Sequence, residues 1–223
     1  MDSMQIRVGR YSILLLLPFF VSVCASAPRG VVVFCAGDSI TAGGYPHFLQ
    51  RLFNGEGLHA RVLNYGRSGF TSGQYLDFLE RNTDRLKAER PDFVLIQLGT
   101  NDVRVDADRT PTDVYRNQMM KIIAVFRGFR NRSGKAPGIL LATIPPVPKE
   151  TPFPFAPESA ERISAEINPV VRSIAAKENL PLVDNFGLFL DRPDLLPDVH
   201  PSNDGYRVLA GNWFSALKLL IRP

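Results

Sequence analysis

Two cysteines and three histidines in 223 residues are the scarcest of this chain's chemically useful side chains. So few cysteines exclude a disulfide-stapled scaffold, and three histidines leave little material for a histidine-built zinc site. A long block of like charge is also missing. The 26 Lys and Arg against 22 Asp and Glu give a formal net charge of +4 that is spread along the chain. Nucleic-acid-binding arms concentrate their charge, so this balance speaks against nucleic acid as a partner. Arg127, Arg130, Arg132 and Lys135 form one modest basic cluster, which reads as a solvated face. No glycine-rich Gly-Lys-Ser/Thr run occurs that would cradle a nucleotide phosphate.

The N-terminal apolar run, Tyr11 to Val23, is shorter than the ~20 residues of a membrane-spanning helix. It follows Arg7 and Arg10 and precedes Ala25, Ser26 and Ala27. A basic stretch, a short apolar core and an A-x-A end are the layout of a secretory signal peptide. Residues 1–27 are therefore expected to be such a peptide, which places the mature chain outside the cytoplasm. The alternative is an uncleaved anchor, the one arrangement that would bring a membrane into play. Removal of residues 1–27 leaves Cys35 as the single cysteine, set in an apolar run where a buried, inert thiol is expected.

What remains, residues 28–223, has the mixture of one globular domain with a substantial core: across the chain 45% of residues are hydrophobic and 22% charged. Val31 to Ala36 is a continuous apolar run ended by Gly37, as in a strand buried on both faces. Similar runs occur at Ala60 to Leu63, Phe93 to Leu98, Ile139 to Ile144 and Leu182 to Val183. Helical patterns separate them at Pro46 to Phe53, Gln74 to Glu89, Thr112 to Phe129 and Pro157 to Glu178, and a last one covers Gly205 to Leu220. Five short strands alternating with helices predict an α/β sandwich around a mostly parallel sheet. In such sheets, ligands sit beyond the C-terminal strand ends.

Four polar segments fall at those ends. The first strand runs into Gly37-Asp38-Ser39, the second into Asn64 to Gly69, the third into Gly99-Thr100-Asn101-Asp102. Pro197-Asp198-Val199-His200 precedes the last helix. Each has an ordinary explanation: a capping tripeptide, a turn glycine, a satisfied loop amide, a structural histidine. Together they supply a serine, a histidine with a nearby acid, and two donors for an oxyanion, which is what acyl transfer needs.

The ordered set resembles the SGNH hydrolases, the GDSL-like esterase and lipase superfamily, over nearly the whole of the chain after the leader. The resemblance implies a flavodoxin-like three-layer α/β/α sandwich and hydrolysis of carboxylic esters or thioesters with neither metal nor other cofactor. It implies Ser39 as nucleophile, His200 as general base, and an oxyanion hole made by the backbone N–H groups of Ser39 and Gly69 with the Asn101 amide. The family usually places its acid three residues before the histidine, and here that residue is Pro197. Asp198 is the expected orienting acid, with Asp194 or a backbone carbonyl as alternatives. The family association favours removal of acetyl groups from carbohydrate. Lysophospholipase, thioesterase or aryl esterase activity is the alternative, and a non-catalytic binding protein on the same fold a remote one. Tyr45, Phe153 and Phe155 are candidate walls of the substrate pocket, the two phenylalanines lying in the proline-rich segment after the fourth strand.

Overall fold

The computed structural model describes residues 30–190 and 192–221, together with Met1. The expected signal peptide therefore lies, but for Met1, outside the described residues. Five strands form one sheet: β1 (Val31–Gly37), β2 (Ala60–Gly66), β3 (Phe93–Gln97), β4 (Gly138–Ala142) and β5 (Leu182–Val183). Their order is β2-β1-β3-β4-β5 and every pairing is parallel. This is the flavodoxin-like arrangement, with its switch point between β1 and β3.

The apolar strands divide their side chains between two cores with the period of two that a pleat imposes. Phe34 and Ala36 of β1 enter one core with Val94 and Ile96 of β3 and Ile139 and Leu141 of β4. Val33 and Cys35 enter the other with Leu95, Leu140 and Ala142. The first core is closed by α3 (Ser72–Arg81), α5 (Thr112–Arg127) and α7 (Asn168–Lys177). The second is closed by α2 (Tyr45–Gly55) and α9 (Asn203–Ile221). Spacings of three and four residues set these faces, as in Tyr45, Leu49 and Phe53 of α2 and Leu209, Trp213 and Leu217 of α9. Burying each such side chain contributes about 1.5–3 kcal/mol, so both helical layers are held firmly to the sheet.

Local departures from the sequence patterns have identifiable causes. The segment expected as one helix from Gln74 to Glu89 is α3 followed by α4 (Thr83–Lys87), broken at Asn82. There the Asn82 side-chain amide donates to the Phe78 carbonyl at 2.8 Å and competes with the backbone ladder. The segment expected as Pro157 to Glu178 is α6 (Pro157–Arg162), a π turn (Ile163–Ile167) and α7. Pro169 has no N–H to give to the Ala165 carbonyl, and the widened turn absorbs that missing bond. Two short helices had no sequence pattern of their own: α1 (Ser39–Ala42) and α8 (Asn185–Leu190). No helix among the described residues is long and apolar enough to cross a membrane.

Candidate active site

Sheet order builds the site. β2, β1 and β3 are neighbours, so the segments that follow them deliver Gly69, Ser39 and Asn101 side by side, with the serine in the middle. Ser39 is the first residue of α1, where backbone N–H groups have no partner inside the helix. Asp38 caps that helix, its Oδ1 accepting from the Ile40 N–H at 3.0 Å.

Two glycines let the neighbouring loop come close. A methyl group on Gly66 would stand 2.2 Å from the Ala42 nitrogen, so only a bare backbone brings the end of β2 against α1. Gly69 has φ +79°, the left-handed region, at the turn that carries the chain toward α3. α3 opens with a capping box: Thr71 Oγ1 accepts from the Gln74 N–H and Gln74 Oε1 from the Thr71 N–H.

On the other side of Ser39, Asn101 starts a single 3-10 turn (Asn101–Val103). Its Nδ2 donates to the Phe70 carbonyl at 3.0 Å, tying the loop after β3 to the loop that carries Gly69. Asp102 is buried and accepts from the Ser72 N–H and Oγ, so it anchors the same two loops from below. Its carboxyl is pushed up by burial, against the pull of Ser72. The buried Arg162 of α6 completes the brace, donating to the carbonyls of Asp102 and Thr110 at 3.0 and 2.8 Å.

His200 reaches this row from the loop before α9. Its Nε2 lies 2.9 Å from Ser39 Oγ, across a separation of 161 residues. Asp198 Oδ1 lies 3.2 Å from His200 Nδ1 and also accepts the His200 backbone N–H at 2.6 Å. Asp194 is instead paired with Arg192 at 3.0 Å. The side chains of His200 and Asp198 are 46% and 58% exposed, so the site lies open at the surface.

The pocket candidates fare differently. Tyr45 cannot wall a substrate pocket: it is fully buried in the second core, 6.1 Å from the Trp213 ring in a stacked arrangement. Its place in the first turn of α2, facing the sheet, overrides its nearness to Ser39 in sequence. Phe155 packs against the first core and is partly buried. Phe153 is 76% exposed in the segment after β4, where the Pro154 carbonyl accepts from the Val105 N–H at 2.9 Å. Cys35 is buried and its thiol is pushed up to about 12 by burial, as an inert residue should be. Among the described residues no cluster of three or more His, Cys, Asp or Glu is placed to hold a metal ion. A separate cleft of about 430 Å³, lined by Gly30, His59, Arg61 and Arg132 among others, lies at the opposite, N-terminal end of the strands and holds no serine–histidine pair.

A serine set against an imidazole thus stands at the switch point of the parallel sheet, between the loops that carry Gly69 and Asn101. The chain belongs to the GDSL-like Lipase/Acylhydrolase family, whose model matches residues 35–208. It is 29% identical to an acetylxylan esterase of Xylanibacter ruminicola over 88% of this chain and 45% of that protein. It is 27% identical to a multidomain esterase of Ruminococcus flavefaciens over 89% of this chain and 30% of that one. The chain thus spans less than half the length of these curated relatives. Among solved structures, a lipase/acylhydrolase from Enterococcus faecalis superposes with a TM-score of 0.70 at 25% identity, covering 86% of this chain and 98% of that one. An acetylxylan esterase from Geobacillus stearothermophilus has the same fold, with a TM-score of 0.66 at 23% identity over 84% and 94%.

Proposed function

We propose that this protein is a serine carboxylic ester hydrolase that works through an acyl-enzyme and removes acetyl groups from carbohydrate. The observation that carries the reading is the 2.9 Å approach of His200 Nε2 to Ser39 Oγ. A free hydroxyl is a weak nucleophile near neutral pH, and an imidazole in hydrogen-bond contact can take its proton as it attacks. Ser39 Oγ adds to the ester carbonyl and His200 accepts the proton. The carbonyl oxygen becomes an oxyanion, bound by the N–H groups of Ser39 and Gly69 and by Asn101 Nδ2. Collapse expels the alcohol, which His200 protonates, and leaves the acyl group on Ser39. Water, activated by the same imidazole, then releases the acid. Asp198 holds the ring by Nδ1 and stabilises the imidazolium.

The acetyl-carbohydrate substrate is supported by the acetylxylan esterases among the relatives and by the openness of the site. A bulky polymer can approach an exposed serine–histidine pair. Phe153, exposed beside the loop that follows Asn101, offers a flat apolar face to a sugar ring. The basic, apolar and small-residue succession of residues 1–27 supports a location outside the cytoplasm, where such polymers occur.

Turnover of p-nitrophenyl acetate by the wild-type chain tests the reaction, with Ser39→Ala as the control and a phosphonate probe to label the serine. The expected result is measurable turnover, lost by at least a thousandfold in Ser39→Ala, and labelling of the wild type alone. Wild-type turnover no greater than that of Ser39→Ala would favour a binding protein on the same fold. A screen of acetylated xylan against esters of increasing acyl length tests the substrate, and preference for long acyl chains would overturn the carbohydrate reading.

A further inference from the structure

Tyr206 stands in the first turn of α9, six residues after His200, and belongs to none of the four sequence blocks. Its phenol lies over the backbone that joins α1 to α2. A methyl group on Gly43 would be 2.2 Å from the Tyr206 hydroxyl and 3.0 Å from the Ser39 carbonyl oxygen. One on Gly44 would be 3.9 Å from the ring. The bare backbone of Gly43 therefore leaves a shelf against which the phenol rests, one turn beyond the serine, with Gly44 in ordinary contact beside it. The Gly43 N–H is already used, donating to the Ser39 carbonyl at 2.8 Å. Burial pushes the phenol up to about 12, with the Asp38 and Asp198 carboxylates adding to it. The hydroxyl thus keeps its proton, and no hydrogen bond to a described residue engages it. The side chain is only partly buried, and its hydroxyl is not among the fully buried polar atoms that lack a partner.

The chemistry of the proposed reaction decides which half of an ester would meet this shelf. His200 must protonate the departing alcohol, so the alcohol oxygen has to lie on the Nε2 side of Ser39. The carbonyl oxygen has to lie on the other side, toward Gly69 and Asn101. Tyr206 follows His200 in the same loop–helix unit and sits against the chain leaving α1, segments distinct from the loops that carry Gly69 and Asn101.

We propose that Gly43, Gly44 and Tyr206 form a subsite for the alcohol half of the ester, in which the Tyr206 hydroxyl hydrogen-bonds a free hydroxyl neighbouring the ester on a sugar or other polyol. This rests on the ester-hydrolase reading given above and adds a determinant of its selectivity. A site built to pair a substrate hydroxyl discriminates against alcohols that lack one, because its polar group is then left without a partner.

The test compares an acetylated xylo-oligosaccharide with propyl acetate, which present the same acyl group on a hydroxylated and on a bare alcohol. The quantity read is the ratio of the two kcat/KM values. Tyr206→Phe keeps the ring and removes the hydroxyl, and it should lower this ratio about tenfold. Gly43→Ala should lower it as well, because the added methyl displaces the phenol from the shelf. Equal losses on both substrates, leaving the ratio unchanged in both variants, would mean that Tyr206 serves packing alone and would overturn the subsite. Wild-type turnover of propyl acetate without turnover of the oligosaccharide would also overturn it, while leaving the ester-hydrolase reading intact. Wild-type turnover of neither substrate above Ser39→Ala would overturn both.

Discussion

Asp198 meets His200 twice through one oxygen: Oδ1 accepts the His200 backbone N–H at 2.6 Å and faces the ring Nδ1 at 3.2 Å. The turn that makes the first contact is what brings the carboxylate to the second, although it is only two residues away and Pro197 occupies the place where the family usually has its acid. The carboxylate is more than half exposed, so water screens its hold on an imidazolium. Asp198→Ala should therefore lower kcat by about 10- to 100-fold, less than the ~10⁴-fold measured for a buried triad acid. Asp194→Ala should change kcat by less than about twofold, because that carboxylate is spent on Arg192. Steady-state kinetics on p-nitrophenyl acetate reads both variants, and wild-type kcat in Asp198→Ala would sink this assignment.

The Asn101 amide donates one N–H to the Phe70 carbonyl, which leaves its second N–H as the donor that the proposed mechanism assigns to the oxyanion. Replacing it should remove a donor that matters more to the oxyanion than to the ground-state carbonyl. Asn101→Ala is expected to reduce kcat about 100-fold with KM within about threefold of wild type. A rise in KM at constant kcat would show instead that the amide serves uniform binding.

Most of the sheet can be read in the chain because β1, β3 and β4 are largely buried on both faces, and Val31 to Ala36 or Phe93 to Ile96 then stand out as apolar runs, whereas the edge strand β2 carries exposed Arg61 and Asn64. The four polar blocks are legible for a related reason: in a parallel sheet, the residues just after strands collect at one edge. Tyr45 misleads because nearness in sequence to Ser39 is not nearness to substrate, and the helical stripe Tyr45, Leu49, Phe53 turns it inward. The start of α3 at Ser72 is signalled by Thr71 and Gln74, a capping-box pair, but the hydrophobic period begins later. Tyr206 cannot be found from spacing at all. Its role depends on the packing of α9 against a glycine pair far earlier in the chain, which only the fold reveals.

Two glycines at the end of β2 and in the turn that follows it should respond to the same substitution for different reasons. At Gly69 nothing lies within 4 Å of an added methyl group, so alanine there meets only the penalty of φ +79°. That penalty is about 1–2 kcal/mol, or a few degrees in Tm. At Gly66 the methyl would overlap the Ala42 nitrogen and Cα, at 2.2 and 2.7 Å, and backbone cannot step aside as a side chain can. Gly66→Ala should lower Tm at least twice as much as Gly69→Ala and should depress kcat as α1 shifts. Thermal unfolding followed by circular dichroism ranks the two, and the reverse order would contradict the close approach of β2 to α1.

Asp38 adds a pH dependence that is separate from catalysis. Its Oδ1 caps α1, but Oδ2 is buried without a partner, and burial pushes the carboxyl from 3.8 up to about 6. Between those two values the folded chain binds more protons at this group than the unfolded chain does. Stability should therefore fall as pH rises from about 4 to about 6 and stay at the lower level above. In Asp38→Asn the side chain no longer titrates, while an amide oxygen can still accept from the Ile40 N–H. The substitution thus removes the cost of burying the charge and keeps the cap. A move from 3.8 to about 6 corresponds to about 3 kcal/mol, an upper bound on the gain. Urea unfolding at pH 4.5 and pH 7.5 measures it. The advantage of Asp38→Asn over wild type should be larger at pH 7.5, and Asp102, present in both chains, largely cancels from the comparison. An equal advantage at both pH values would mean that Asp38 is ionised throughout, and that the Thr100 hydroxyl, which pulls the carboxyl down against burial, stabilises the charge in place of water.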